Sequence, residues 1–282
     1  MNYHSKKRLM KIGISLVTYN RKLFSEQCIK SILWSNPEDV SMVIIDNHSS
    51  DGTQDMLSKV QEENDDIIKP IVYNSENKQA GYAINQGWEI LSEHCDVVGS
   101  VANDMFVEPG WDRNIRACME ELNIDYIISL VRPRKEKLKK ITLSGEGHYV
   151  KTVELAACTF LRSEHFLKGF RWSIVSWGKG RIGAMPEFNQ MLRRGTGKHG
   201  PLVGATLAAP GFIARHCEYT NPDYIEYYDK TFGERVMLTE LARRRKLESE
   251  GNASSISLEY KHSLNWDGFL SKYYPEKIEV AS

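Results

Sequence analysis

Between residues 12 and 130 the chain keeps one rhythm. Short runs of β-branched and apolar residues each end in a cluster of Asn, Asp, Ser or Gly, and helix-length stretches separate them. Strands spaced this way cannot close as hairpins; they pair through crossovers, so the pattern predicts a doubly wound, mostly parallel α/β sheet of Rossmann-like type. Strands are expected at Ile12–Thr18, Met42–Asp46, Ile67–Tyr73, Asp96–Ala102 and Tyr126–Leu130. Helices are expected at Lys22–Trp34, Thr53–Gln61, Ala80–Leu91 and Pro109–Leu122, the first with Phe24, Cys28, Ile32 and Leu33 at helical spacing.

After Leu130 the rhythm breaks. Residues 132–140 are dense in charge, and Leu143–Val150, carrying Ser144-Gly145-Glu146-Gly147, reads as a hairpin or a mobile loop. A glycine-rich passage, Trp177 to Gly183, precedes a short helical segment at Pro186–Arg194, and a further strand is expected near Pro210–Ala214. Beyond Asn221 aromatic and then charged residues suggest an appended helical tail. The expected organisation is one α/β domain over residues 1–220 and a C-terminal helical extension over 221–282.

Composition narrows the function classes. Lys+Arg and Asp+Glu balance at 37 each, so no global field recruits nucleic acid or an anionic membrane. Cys28, Cys95, Cys118, Cys158 and Cys217 are scattered without Cys-x-x-Cys spacing and read as buried thiols in a reducing compartment. No stretch approaches the apolar length of a membrane span and the first residues lack a signal-peptide core, so a cytoplasmic protein is expected.

Open α/β sheets bind ligands outside the carboxyl ends of their strands. Here those ends are rich in chemistry. The first delivers Thr18-Tyr19-Asn20-Arg21, where Tyr19 can stack on a base. The second delivers Asp46-Asn47-His48-Ser49-Ser50-Asp51-Gly52-Thr53; Asp46 can accept from a base N–H or a ribose hydroxyl, whereas Asp51 and Thr53 serve equally well as turn and helix cap. In the third unit, Asn77 to Gly87, small residues allow a backbone to approach a diphosphate, or let a helix pack closely at Gly81 and Gly87. After the fourth strand Asn103-Asp104-Met105 places a carboxylate that can hold Mg²⁺ or Mn²⁺ against a diphosphate, or that simply stabilises a turn.

This ordered set resembles the family 2 glycosyltransferases of the GT-A fold over roughly residues 12 to 216. The resemblance rests on Thr-Tyr-Asn, Ile-Asp-Asn-x-Ser-x-Asp-Gly-Thr, Asn-x-x-x-Gly-x-x-x-Asn-x-Gly and Asn-Asp-Met-x-Val-x-Pro-Gly-Trp, in that order. It implies a nucleotide-sugar half over 12–105 and an acceptor half over 106–220. It implies that Asp46 contacts the base, that Thr18, Tyr19, Asn20, Asn77, Gly81 and Asn103 belong to the nucleotide site, and that Asp104 ligates Mn²⁺ or Mg²⁺. The chain departs from the acidic Asp-x-Asp form, with Asn103 and Met105 beside one aspartate.

Where the family carries a Glu-Asp pair at a helix start, this chain has Pro186-Glu187-Phe188-Asn189, so Glu187 is the expected general base. A carboxylate there also suits the helix dipole. His216 matches a family position that joins the metal or the diphosphate, and is otherwise a structural histidine. Trp177, with Trp172, is an acceptor-side sugar platform or a core residue.

The resemblance implies transfer of a sugar, by default from a UDP-sugar, to an acceptor hydroxyl with inversion and metal assistance. Two alternatives stay open: a non-catalytic nucleotide- or glycan-binding module of the same fold, and a transferase whose acceptor is a nucleic acid met by the basic run from Arg132 to Lys140. The acceptor is otherwise undetermined among glycan, protein and small molecule.

Overall fold

In the computed structural model, residues 8–129, 139–143, 146–151, 158–172, 184–207, 212–214 and 266–278 are described. The N-terminal half follows the expected alternation: β1 (Ile12–Thr18), α1 (Lys22–Trp34), β2 (Val40–Asp46), α2 (Thr53–Glu63), β3 (Ile68–Tyr73), α3 (Ala80–Ser92) and β4 (Val97–Ala102). A three-residue strand, β5 (Met105–Val107), then leads into α4 (Trp111–Glu121) and β6 (Tyr126–Ser129). Further on come β7 (Lys139–Leu143), β8 (Glu146–Lys151), β9 (Cys158–Arg162), α5 (Ser163–Leu167), α6 (Ala184–Arg194), β10 (Gly204–Leu207), β11 (Phe212–Ala214) and α7 (Trp266–Tyr273).

The main sheet has the order β3-β2-β1-β4-β9-β6-β10-β8-β7. Its first four strands are parallel, with Ile12–Thr18 in unbroken register against Val40–Asp46 and Val97–Ala102 lying on the other side of β1. Between β4 and β6 the chain inserts β9, antiparallel to both. The strand expected near Pro210–Ala214 is β11, but its partner β5 and the insertion β9 were not expected from the sequence. The hairpin expected at Leu143–Val150 begins earlier in the chain: Lys139–Leu143 pairs antiparallel with Glu146–Val150, with Leu143 opposite Glu146.

Two apolar cores flank the sheet, as a doubly wound fold requires. On one face Ile12, Ile14 and Leu16 of β1 meet Cys28, Ile29 and Ile32 of α1, Met56 and Leu57 of α2, and Trp111, Ile115 and Met119 of α4. On the other, Val43 and Ile45 of β2 and Val98 of β4 meet Ala83, Trp88 and Leu91 of α3, Phe166 of α5, and Phe188 and Leu192 of α6. The sheet's period of two sends alternate residues to opposite faces, so Ile12, Ile14 and Leu16 of β1 enter one core while the small Gly13 and Ser15 face α3.

Glycine permits close approach at several points, two of them beside β1 and β4. A Cβ on Gly87 would lie 2.2 Å from Ser15 Oγ, so α3 rests directly on β1. A Cβ on Gly99 would lie 2.2 Å from the ring of Phe160, its partner across the β4–β9 ladder.

Four of the cysteines are buried free thiols, as expected, and Cys217 lies outside the described residues. Burial, with smaller contributions from Cys158 and Asp104, pushes the Cys28 thiol well above its ordinary range. Burial likewise raises Cys118 and Cys158 to about 12. Among the described residues no helix is long and apolar enough to cross a membrane.

The tail does not hang free where it is described. Phe269, Leu270 and Tyr274 form a small third core with Phe106 of β5, and Trp34 and Trp266 pack against it. Phe106 stacks on Phe269 at 4.7 Å, and the Tyr273 hydroxyl donates to the Glu108 carboxylate. Residues 221–265, most of the expected helical extension, lie outside the described residues.

Candidate functional site

The carboxyl ends of β2, β1 and β4 lie side by side, because those strands are neighbours in the sheet and parallel. They bring together the loop Thr18–Lys22, the loop Asp46–Thr53 and the turn Asn103–Asp104. The first two loops are joined by a dense hydrogen-bond network. Asp46 is fully buried and accepts from Thr18 Oγ1 at 2.9 Å, from Ser49 N at 3.0 Å, from Ser49 Oγ at 2.5 Å and from Gln54 Nε2 at 2.8 Å. Asn20 N donates to Ser49 Oγ and Asn20 Oδ1 accepts from Ser50 N, both at 2.8 Å. Asp51 accepts from Lys22 N at 2.9 Å, satisfying a first-turn amide of α1, and from Thr53 N and Oγ1 at the start of α2.

Asp46 does not present its carboxylate to the cleft, since both oxygens are engaged by protein donors and none of the residue is exposed. It ties the β1 and β2 loops to each other. Asp51 takes the turn role that its sequence allowed, accepting from the first amides of α1 and α2 and from the Thr53 hydroxyl. Thr18 is likewise buried against Asp46, while Tyr19, half-buried, is the side chain at the β1 terminus with exposed surface.

A second network is made of amides. Asn47 Nδ2 donates to Asn77 Oδ1 at 2.8 Å, Asn74 Nδ2 donates to Asn47 Oδ1 at 3.2 Å, and Asn74 and Gln86 exchange hydrogen bonds at 3.1 Å. Lys78 N also donates to Asn47 Oδ1, at 3.0 Å. The β3–α3 loop with Asn77 is thereby pinned to the β2 loop, and Gly81 sits buried in the first turn of α3. Asn85, one residue before Gln86, pins the other side: its side chain exchanges 2.9 Å bonds with the backbone N and O of Trp172. Sequence reasoning passed over Asn47, Asn74 and Gln86, whose signal was a concentration of amides at the second and third strand ends.

The third component is different in kind. Asn103 and Asp104 form the turn between β4 and β5, and Asn103 Nδ2 donates to Ser25 Oγ of α1 at 3.0 Å. The Asp104 side chain is 34% exposed, and Arg21 Nη1 approaches its Oδ2 at 3.4 Å. Arg21, also passed over, lies over the Phe24 ring at 4.4 Å. On the far side of this turn β5 pairs with β11, placing Ala214 opposite Met105. His216 lies outside the described residues, as does Trp177.

Glu187 falls in the first turn of α6, whose Phe188 and Leu192 are buried in the α3-side core; the Glu187 side chain itself lies outside the described residues. Trp172 stacks on Phe188 at 4.6 Å and is 5% exposed, so it is a core residue and no sugar platform.

Residues 14–185 match the model of glycosyl transferase family 2, more than half of the chain. The chain belongs to that family. The matched region carries every site element above up to Met185, the β1, β2 and β4 termini included. An uncharacterized glycosyltransferase of Nostoc sp. is 34% identical over 79 residues, 28% of this family member and 24% of that protein. Two solved structures share the fold. Staphylococcus aureus TarS residues 1–349, in complex with UDP-GlcNAc, superposes with a TM-score of 0.56 at 16% identity over 74% of this chain and 59% of that one. A mannosyltransferase from Pyrobaculum calidifontis, in complex with GDP-Man and Mn²⁺, gives 0.54 at 12% identity over 84% and 65%. The family member thus spans under two thirds of each structural relative and about a quarter of the curated one.

Proposed function

We propose that this protein is an inverting glycosyltransferase that moves a sugar from a nucleoside diphosphate sugar, by default a UDP-sugar, to an acceptor hydroxyl. The supporting observation is the placement of Asp104: a part-exposed carboxylate at the end of β4, beside a β1–β2 loop framework that has no unused carboxylate of its own. In this reading Tyr19, Asn20, Asn77 and Gly81 line the nucleotide pocket, with Thr18 and Asp46 holding its floor. TarS and the Pyrobaculum mannosyltransferase, which carry UDP-GlcNAc and GDP-Man in their complexes, support a diphosphate-linked donor.

The donor set fits a hard divalent cation only in part. Among the described residues no group of three or more His, Cys, Asp or Glu side chains converges. One carboxylate completed by phosphate oxygens and water is nevertheless an ordinary arrangement for Mg²⁺. Asp104 would hold the ion, with His216 as the candidate second ligand. A bound ion would neutralise charge developing on the leaving diphosphate. The chain's own contributions are then to orient the donor between Tyr19 and the Asn103–Asp104 turn and, at Glu187, to remove the proton from the attacking acceptor hydroxyl. Inversion follows from a single displacement.

The single acid at 104 keeps the non-catalytic binding module as the second reading. Calorimetry with UDP and GDP, each with and without Mn²⁺, followed by a donor-hydrolysis screen of UDP- and GDP-sugars, separates the two. Binding with hydrolysis of one donor supports the transferase. Nucleotide binding with no turnover of any donor under any metal supports the module, and no nucleotide binding ends the transferase and leaves only a glycan-binding module.

A further inference from the structure

The cation beside Asp104 is part of the fold. Arg21 sits directly before α1 in the left-handed region, φ 60°, after Asn20 at φ 52°. Two successive non-glycine residues in that region are unfavourable and persist only where the surroundings over-determine them. Here they are over-determined: Asn20 is bonded to Ser49 and Ser50, and the next amide, Lys22 N, to Asp51. The consequence is that the Arg21 side chain is directed along α1, over Phe24, with its Nη1 3.4 Å from Asp104 Oδ2. It is only 8% exposed, whereas Asp104 keeps 34% of its side chain open.

We propose that Arg21 guards Asp104. In the nucleotide-free protein the guanidinium is the resident counter-charge of the carboxylate that would receive the divalent cation. When a nucleoside diphosphate arrives, the guanidinium moves from the carboxylate to the diphosphate oxygens. The inference rests on the reading of Asp104 as part of the nucleotide site. Its physical basis is competition: an arginine and a divalent ion are like charges claiming one Oδ2. A diphosphate resolves the conflict because it offers acceptors that match the planar guanidinium fork in bidentate fashion. Cation and nucleotide therefore bind cooperatively, and neither binds well without the other.

The test uses the full chain and needs no turnover. Mn²⁺ binding is measured by the loss of its free-ion electron paramagnetic resonance signal, first without nucleotide and then with UDP, in wild type, R21A and R21K. Guarding predicts that R21A binds Mn²⁺ about tenfold more tightly without nucleotide and metal-free UDP about tenfold more weakly. The coupling between the two ligands falls accordingly. R21K keeps a positive charge on a slightly shorter side chain but loses the fork, so it retains weak Mn²⁺ binding and still loses UDP affinity. It also covers the case in which R21A fails to fold. Equal nucleotide-free Mn²⁺ affinity in all three proteins, with UDP binding intact, overturns the guard alone. Failure of wild type to bind UDP overturns the nucleotide reading and the guard with it.

Discussion

Two aspartates stand at the carboxyl edge of one sheet, two strands apart, and they are used in opposite ways. Asp46 is buried and spends both oxygens on Thr18, Ser49 and Gln54. Asp104 is part-exposed on a two-residue turn and meets Arg21 at the long distance of 3.4 Å. A carboxylate saturated by protein donors rigidifies the backbone around it but has nothing left for a ligand. A carboxylate with one weak partner can exchange that partner. The site thus divides into a framework, built by the β1, β2 and β3 loops, and a replaceable charge at the β4–β5 turn.

The largest effect that would break this division is at Asp46. Replacing it with Ala strands the Thr18 hydroxyl, the Ser49 amide and hydroxyl and the Gln54 amide, all tied to a carboxylate that is itself fully buried. A loss of about 3–5 kcal/mol is expected, since each stranded buried donor costs on the order of 1–3 kcal/mol. Urea unfolding measures it. A variant as stable as wild type would mean that the framework is not held from this point.

Asp104→Ala should do the reverse. The donor that depends on Asp104 is Arg21, whose ion pair is long and part-exposed on the carboxylate side, so the loss of stability should stay at about 1 kcal/mol, well below that at Asp46. Donor turnover should fall about 10²–10³-fold, the usual consequence of removing one group that stabilises developing charge. The decisive measurement is the pair: stability and donor hydrolysis on the same preparation. Loss of both together, or of neither, would erase the distinction between the two aspartates.

How much of this was legible in the sequence follows the same line. Strands β1 to β4 and the helices between them read clearly because each buries alternate residues in one of two cores and ends in a polar cluster. The strand β5 did not read, because three residues carry no period; its pairing with Phe212–Ala214 and its packing under Phe269 come from far along the chain. The strand β9 is an antiparallel insertion, invisible to an argument that expected crossovers. At the site, residue types pointed to the correct strand ends, but burial decided the roles. Asp46 and Asp104 look equally suited to a ligand until the partners Ser49 and Gln54, three and eight residues downstream, close around the first. Arg21 went unassigned because nothing local indicates that a left-handed turn aims it across to residue 104.

Between these extremes lies the support beneath the framework. Gly87→Ala would press a Cβ to 2.2 Å from Ser15 Oγ, with the Ser15 Cβ at 2.7 Å, and Ser15 lies within β1. Either α3 lifts from the sheet or β1 shifts, and overpacking of this kind costs about 1–3 kcal/mol. Because Asn85 and Gln86 anchor Trp172 and the amide network from the same helix turn, the displacement should weaken UDP binding as well as stability. Calorimetry on the folded variant separates the two effects. Unchanged UDP affinity in a destabilised protein would show that the nucleotide reads the turn at 104 and not the framework.

The smallest expected effect sharpens the comparison most. Asp51 belongs to the framework by its bonds, since it joins Lys22 N of α1 to Thr53 of α2, yet its side chain lies at the surface. If the framework's rigidity came only from the number of hydrogen bonds, Asp51→Ala would rival Asp46→Ala. Burial argues otherwise. Asp51 and Lys22 are exposed, so water replaces the carboxylate at the Lys22 amide, whereas Thr53 is fully buried and its amide and hydroxyl lose their acceptor; the cost should be that of a removed helix cap or somewhat more, about 1–2 kcal/mol. The local consequence is more telling than the global one. Lys22 N follows Arg21 directly, so releasing it relaxes the left-handed pair Asn20–Arg21 and should loosen the hold of Arg21 on Asp104. Amide hydrogen exchange should speed up at the first turn of α1 and remain protected in β2, whose Asp46 bonds are untouched. Exchange that accelerates equally in both would mean that the two loops open as one unit and that Asp51, not Asp46, closes the framework.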